Sequence, residues 1–436
     1  MDALTAARIQ MELSLGFHMI FAALGIGMPL LMVLAERRAL RTGDDAGLAL
    51  ARTWGKATAL LFVVGAVSGT ALSFELGLLW PKFMAFAGPV IGPAFALEGY
   101  AFLIEAIFIG LYLYGWDRMS PRAHWLAGIP VAISGALSGI LVVGANAWMQ
   151  SPRGYTLDEA GRVAAVDVLA TFRNPSWVPL ALHSTLSCYI AVGFAVAGVY
   201  AIGILRGRDD ARHRRGLGLG LGLGTITALL QPLSGDWLAK LVGRTQPEKL
   251  AAMEALHETT AGAPLLIGGI PDRAGQIHYG IEIPKGLSFL ATGDPNATIR
   301  GLASFPVDER PNALVCHLAF QVMVGGGFAL VAVGLLWLVL RRRLRKSGAP
   351  FPRWFLWIVA LASPLGFLAL EAGWIVTEVG RQPWIVYRAM RTADAVTPRS
   401  DVGTTLAAFG GLYLALGVAL IVMLRGLAKK RGGEGA

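Results

Sequence analysis

An all-α, polytopic membrane helical bundle of about nine transmembrane helices is the fold this sequence predicts, and three observations predict it. Of its 436 residues, 55% are hydrophobic and only 15% are charged, where a water-soluble domain carries about a quarter charged. Mean hydropathy is +0.58, and long apolar stretches recur, each sufficient to cross a hydrocarbon core of roughly 30 Å. These stretches are continuous rather than alternating, which argues against a β-barrel.

The spans read 13–35, 53–78, 90–115, 124–148, 176–205, 216–240, 312–340, 353–378 and 403–425. The first exceeds a signal-peptide core, follows Glu12 and has no small-residue cleavage pattern before Glu36-Arg37-Arg38, so it is expected to be retained. Span two opens at Lys56, which snorkels, and closes at Glu75 in "SFELGLLW". Span six opens on "GLGLGLGLG" at 216–224, a pattern for close helix packing and not a phosphate loop. Cys188 and Cys316 fall inside spans with no CxxC pattern and read as buried free thiols.

The connections alternate in charge. Arg37, Arg38 and Arg41 follow span one; Arg118 and Arg122 follow span three; Arg206, Arg208, Arg212, Arg214 and Arg215 follow span five. Arg341, Arg342, Arg343, Arg345 and Lys346 follow span seven, and Arg425, Lys429, Lys430 and Arg431 form the tail. Basic loops stay on the cytoplasmic side, which places the N-terminus outside and the C-terminus inside. That distribution explains the net charge of +10 without a nucleic-acid partner. The other side carries two long loops, 149–175 and 241–311, and loops of the second length are functional or disordered.

Ionisable residues at membrane depth are functional candidates. His18, His183 and Met323 fall in the outer half of spans one, five and seven; iron in a haem accepts His or a His/Met pair. Glu98 and Glu105, in "FALEGYAFLIEAIF", are seven apart and share one helix face, about 10 Å apart along the axis. A column of such carboxyls reads as a proton relay. Glu371, Trp374 and Glu378 form a second stripe in span eight.

Seven segments in order carry a family resemblance: "ARIQMELSLGFHMIF", "SFELGLLWP", "ALEGYAFLIEAIFIGLYLYGWDRM", "LHSTLSCY", "QPEKLAAMEA", "QVMVGGG" and "GWIVTEVGRQPW". They resemble the haem-bearing subunit I of the cytochrome bd family of quinol oxidases, over nearly the whole chain. The resemblance implies that His183 and Met323 ligate a low-spin haem b. It implies that His18 and Glu378 each ligate one of two high-spin haems, a haem b and a haem d (or a further haem b). Trp374 would lie between haems, Arg381 would neutralise propionates beside Gln382 and Trp384 in "GRQPW", and Glu75 would border the same cofactors. Glu98 and Glu105 would deliver protons, and Lys249 and Glu254 would serve the quinol loop, a pair that on its own would read as solvated.

On this basis residues 1–240 supply haem and proton-path helices, 241–311 the external quinol loop, and 312–436 further haem ligands and the GRQPW motif. The implied activity is oxidation of membrane quinol and reduction of O2 to water with charge separation, in the bacterial cytoplasmic (inner) membrane. A second subunit and a small accessory subunit are the implied partners. Two departures are visible. Gln321 stands where some members carry Arg, and the quinol loop is of the short kind. The rival readings are a proton-coupled transporter and a haem b electron-transfer protein that does not reduce oxygen.

Overall fold

The computed structural model describes residues 2–272, 275–347, 349–399 and 401–429. Lys430 and Arg431 of the basic tail, and the side chains of Lys346 and Lys429, lie outside that description. α1 (Ala3–Thr42) starts where the Asp2 carboxylate accepts the Thr5 N–H and stops at Gly43, whose φ of 64° suits glycine. Only Trp80 separates α2 (Asp45–Leu79) from α3 (Pro81–Tyr114). α4 (Pro121–Gln150) is capped by Ser120. The first long loop holds a hairpin, β1 (Tyr155–Leu157) and β2 (Val163–Val166), then α5 (Val168–Phe172). α6 (Trp177–Leu205) and α7 (Ala211–Thr245, capped by Asp210) follow.

The second long loop is folded. It comprises α8 (Pro247–Met253), β3 (Thr260–Ala261), the antiparallel pair β4 (Leu265–Pro271) and β5 (Ile277–Ile283), α9 (Gly286–Thr292) and β6 (Thr298–Ile299), which pairs with β3. α10 (Ala313–Ser347), α11 (Arg353–Ala362) and α12 (Leu365–Val379) come next. A small hairpin, β7 (Trp384–Val386) and β8 (Met390–Arg391), leads through α13 (Thr392–Ala395) to α14 (Val402–Lys429).

Among the described residues nine helical segments are long and apolar enough to span a membrane, in agreement with the nine spans. Their helices run beyond the apolar stretches, because capping side chains let polar ends stay helical. α1, with 40 residues, is roughly 60 Å long. Span eight differs from the single helix expected: it is α11 and α12, broken at Ser363-Pro364. Proline lacks the N–H that would continue the ladder. The break lies against α6, where Gly198 faces Ser363 and Gly366 abuts Ala191.

α1 is central, packing on α2, α4, α6 and α14. The basic turns gather on one face: Arg215 of α7 pairs with Asp44 at 2.7 Å, and Arg52 of α2 with Asp117 at 3.6 Å. The opposite face carries the long loops, tied together where the Tyr387 N–H donates to the Met149 carbonyl and the Thr397 N–H to that of Leu79. The larger apolar core, with Leu31, Trp54, Phe194, Leu221 and Phe355, fills the basic-face half. A second, with Leu79, Phe83, Trp148 and Val386, underlies the loop face.

The glycine run acts as anticipated. Gly220 and Gly224 lie on the α6 side of α7, and a Cβ on Gly193 of α6 would stand 2.5 Å from the Gly224 nitrogen. Backbone therefore meets backbone, the close approach small residues permit. Gly193→Leu is expected to lower stability by about 1–3 kcal/mol or more, read as a lower unfolding midpoint in detergent.

Candidate functional site

α12 is the rod on which the site is assembled. Gly373 leaves room for Met323 of α10, whose sulfur would lie 3.0 Å from a Cβ there. Two residues earlier, Glu371 reaches α1 at Gly16, where a Cβ would be 3.5 Å from Oε2. Trp374 packs against two apolar clusters at once, one with Ala23, Ile26 and Leu370, the other with Val143 and Ala147. At the helix end Glu378 accepts from Asn146 of α4 and pairs with Arg381 at 2.6 Å. Side chains of α1, α4 and α10 thus meet about two turns of α12.

His18 and His183 are held by the same device on different helices. The Ser68 hydroxyl lies 3.0 Å from His18 Nδ1, and that of Ser234 lies 3.0 Å from His183 Nδ1. Each serine is followed by a glycine that lets the ring approach: a Cβ on Gly69 would be 2.9 Å from His18 Cε1, and one on Gly235 3.3 Å from His183 Cε1. The serine hydroxyls donate backwards, Ser68 to the Gly65 carbonyl and Ser234 to that of Gln231. Their oxygens are therefore left to accept, so both imidazoles carry the proton on Nδ1. Nε2 is then a lone-pair donor in each, the form that binds a metal. The Gln231 amide lies over the second ring, 3.2 Å from Nε2.

The GRQPW turn is a buried cradle. Arg381 is 3% exposed; its Nη2 donates to Glu378 and its Nε to the Trp384 carbonyl. Arg381 Nη1 and Trp384 Nε1 are buried with no partner, as is Glu371 Oε1. Orphaned buried polar groups of this kind cost about 1–3 kcal/mol each, so the two N–H donors mark where an acceptor belongs. Gln382 does other work, accepting from Thr392 and bracing the turn.

Glu98 and Glu105 both face α4. Glu98 accepts from Ser138 at 2.9 Å, and Glu105 lies against Gly135, where a Cβ would be 3.2 Å from its Oε1. Glu75 is buried and accepts from Gln10, which in turn accepts from Thr405 of α14.

Lys249 and Glu254 are not a solvated pair. Both are buried, and Lys249 turns away from Glu254 to donate to the Thr377 carbonyl at 3.1 Å and to Gln150 at 3.3 Å. Its stem rests on Gly380. Burial pulls the Lys249 ammonium down to about 8 and pushes the Glu254 carboxyl up to about 8. Asn146, Gln150, Ser68 and Ser234 were not singled out from the sequence; the two Ser-Gly dipeptides, each facing a histidine, are the only trace they leave there.

A family model for cytochrome bd terminal oxidase subunit I matches residues 6–432. The chain belongs to that family. A Bacillus subtilis (strain 168) protein provisionally named cytochrome bd menaquinol oxidase subunit I is 39% identical, over 97% of this chain and 96% of its own. The cytochrome bd ubiquinol oxidase subunit 1 of the same organism is 33% identical, over 100% and 95%. The structure of bd oxidase from Geobacillus thermodenitrificans superimposes with a TM-score of 0.92 at 35% identity, covering 98% of this chain and 99% of that one. Membership in the cytochrome bd family leaves the transporter reading without support.

The family implies haem and quinol, and the residues present fit haem. Two imidazoles have their Nδ1 engaged by serine and Nε2 left as a lone-pair donor, that of His183 beneath the Gln231 amide; a thioether sits in a glycine notch, and a buried guanidinium keeps one donor free for a propionate. Ser234→Ala removes the acceptor that fixes His183. We expect haem affinity at that site to fall about 10- to 100-fold, read as haem loss on dilution with the Ser68→Ala variant losing a different spectral component.

Proposed function

We propose that the chain is the haem-carrying subunit of a terminal respiratory oxidase that oxidises membrane quinol and reduces O2 to water, separating charge across the bacterial inner membrane. The observation that supports it most is Lys249: a buried cation from the long loop hydrogen-bonds α12 one residue before Glu378. The substrate loop and the ligand-bearing helix are thereby a single unit. Basic turns on one face support an external N-terminus, so quinol protons leave on the loop face.

His183 and Met323 are assigned to a low-spin haem b, and His18 and Glu378 to the two high-spin haems, one haem b and the other haem d or a further haem b. When bound, these groups supply the irons that carry electrons and reduce oxygen. The remaining chemistry belongs to the chain. Trp374 fills the space between its two apolar clusters with an aromatic ring, Arg381 offers Nη1 to a propionate, and Glu105 and Glu98 pass protons along the α3–α4 seam from the basic face. Lys249 holds the quinol ring, and Glu254 takes its hydroxyl proton as general base. A second subunit accompanies the chain, as in bd oxidase complexes; we add a small accessory subunit to the proposal.

A reduced-minus-oxidised spectrum with quinol-dependent oxygen uptake tests the whole reading: pigment without uptake would leave only electron transfer. Because Glu254 must be ionised to accept a proton, and burial sets it at about 8, quinol turnover should rise as pH climbs towards about 8. Glu254→Gln should flatten that limb and lower turnover about 100-fold. Glu105→Gln should slow oxygen reduction by a similar factor while leaving the haem spectrum intact; loss of all haem in that variant would count against a proton role.

A further inference from the structure

α10 carries two polar side chains that none of these roles uses. His317 is fully buried, Gln321 follows one turn later, and Met323 lies two residues beyond. His317 Nδ1 is 2.8 Å from the Met253 carbonyl oxygen and Nε2 is 3.0 Å from that of Gly268. Carbonyls only accept, so each ring nitrogen faces a main-chain acceptor of the loop. Gln321 donates to the Leu266 carbonyl at 3.0 Å and accepts the Gly268 N–H at 2.9 Å.

All four bonds go to backbone, and to both limbs of the 241–311 loop. Met253 ends α8, which carries Lys249, and its carbonyl belongs to the peptide bond leading into Glu254. Leu266 and Gly268 belong to β4, where φ of 68° and 90° at Gly268 and Gly269 lets successive peptide groups turn towards α10. One helix therefore holds the proton acceptor's backbone, the hairpin and the Met323 sulfur in a common frame.

We propose that His317 and Gln321 are positioning residues for quinol oxidation: they lock Glu254 and the β4–β5 hairpin in register with Met323. At Gln321, the residue that departs from the arginine of some family members does the gripping. The proposal rests on reading 241–311 as the quinol loop.

The test uses the assembled oxidase, with oxygen uptake driven either by quinol or by a small one-electron reductant that needs no ring-binding pocket. For His317→Leu we expect kcat/KM for quinol to fall about 10- to 100-fold, with haem content, spectrum and reductant-driven uptake retained. His317→Gln, whose amide offers two N–H donors, should restore most of the loss. Gln321→Leu should reproduce the defect, and serves as the reading if His317→Leu fails to assemble. Unchanged quinol kinetics in both leucine variants, or an equal fall in both kinds of uptake, would overturn the positioning role. If Lys249→Met and Glu254→Gln leave quinol kinetics untouched, the loop's assignment fails first and takes the proposal with it; normal kinetics in the α10 variants alone sinks only the clamp.

Discussion

Glu378 and Arg381 stand 2.6 Å apart where α12 leaves the bundle, and much of the surrounding structure serves to keep the guanidinium buried and incompletely satisfied. A buried charge is tolerable only when its donors are met, and here the guanidinium is the buried partner. Asn146 meets one carboxylate oxygen and the Trp384 carbonyl meets Nε. Nη1 is left over. A buried guanidinium donor left unmet suits an anion from elsewhere, which is why we propose a haem propionate, with its matching charge and planarity, as its partner.

The same economy shapes the histidines. Each ring is set by a serine that spends its own proton on its helix backbone, so the tautomer is decided before any metal arrives. Packing does the rest: a glycine beside each serine brings the neighbouring helix close enough for the bond to form. Polar groups are few in this chain, and those near the site have paired duties. Lys249, which we propose for quinol binding, also braces α12; Gln150 accepts from both Lys249 and Gln246.

What could be read in advance follows from what repeats. Nine spans were legible because hydrocarbon demands length and apolarity from each of them, and the 216–224 glycines because their spacing matches a helix face. The α3 carboxyl column was legible for the same reason. Pro364 was visible, yet the break it causes depends on Gly198 of α6 and Gly366 of α12 being small enough to let the two helices meet there. The burial of Lys249 and Glu254 was hidden, since the loop that covers them has no period to read. His317 gave no signal either: its partners are main-chain carbonyls, which every sequence contains.

Trp80 alone joins α2 to α3, and this has a bearing on how the protein is made. With no soluble linker between them, the second and third spans form one helical hairpin that is suited to entering the bilayer as a unit. Pro81 at the first position of α3 is already set for helix, and the buried indole of Trp80 closes the bend from within. The carboxyl column of α3 is therefore tethered to α2 by a single residue, a connection too short for the two spans to part.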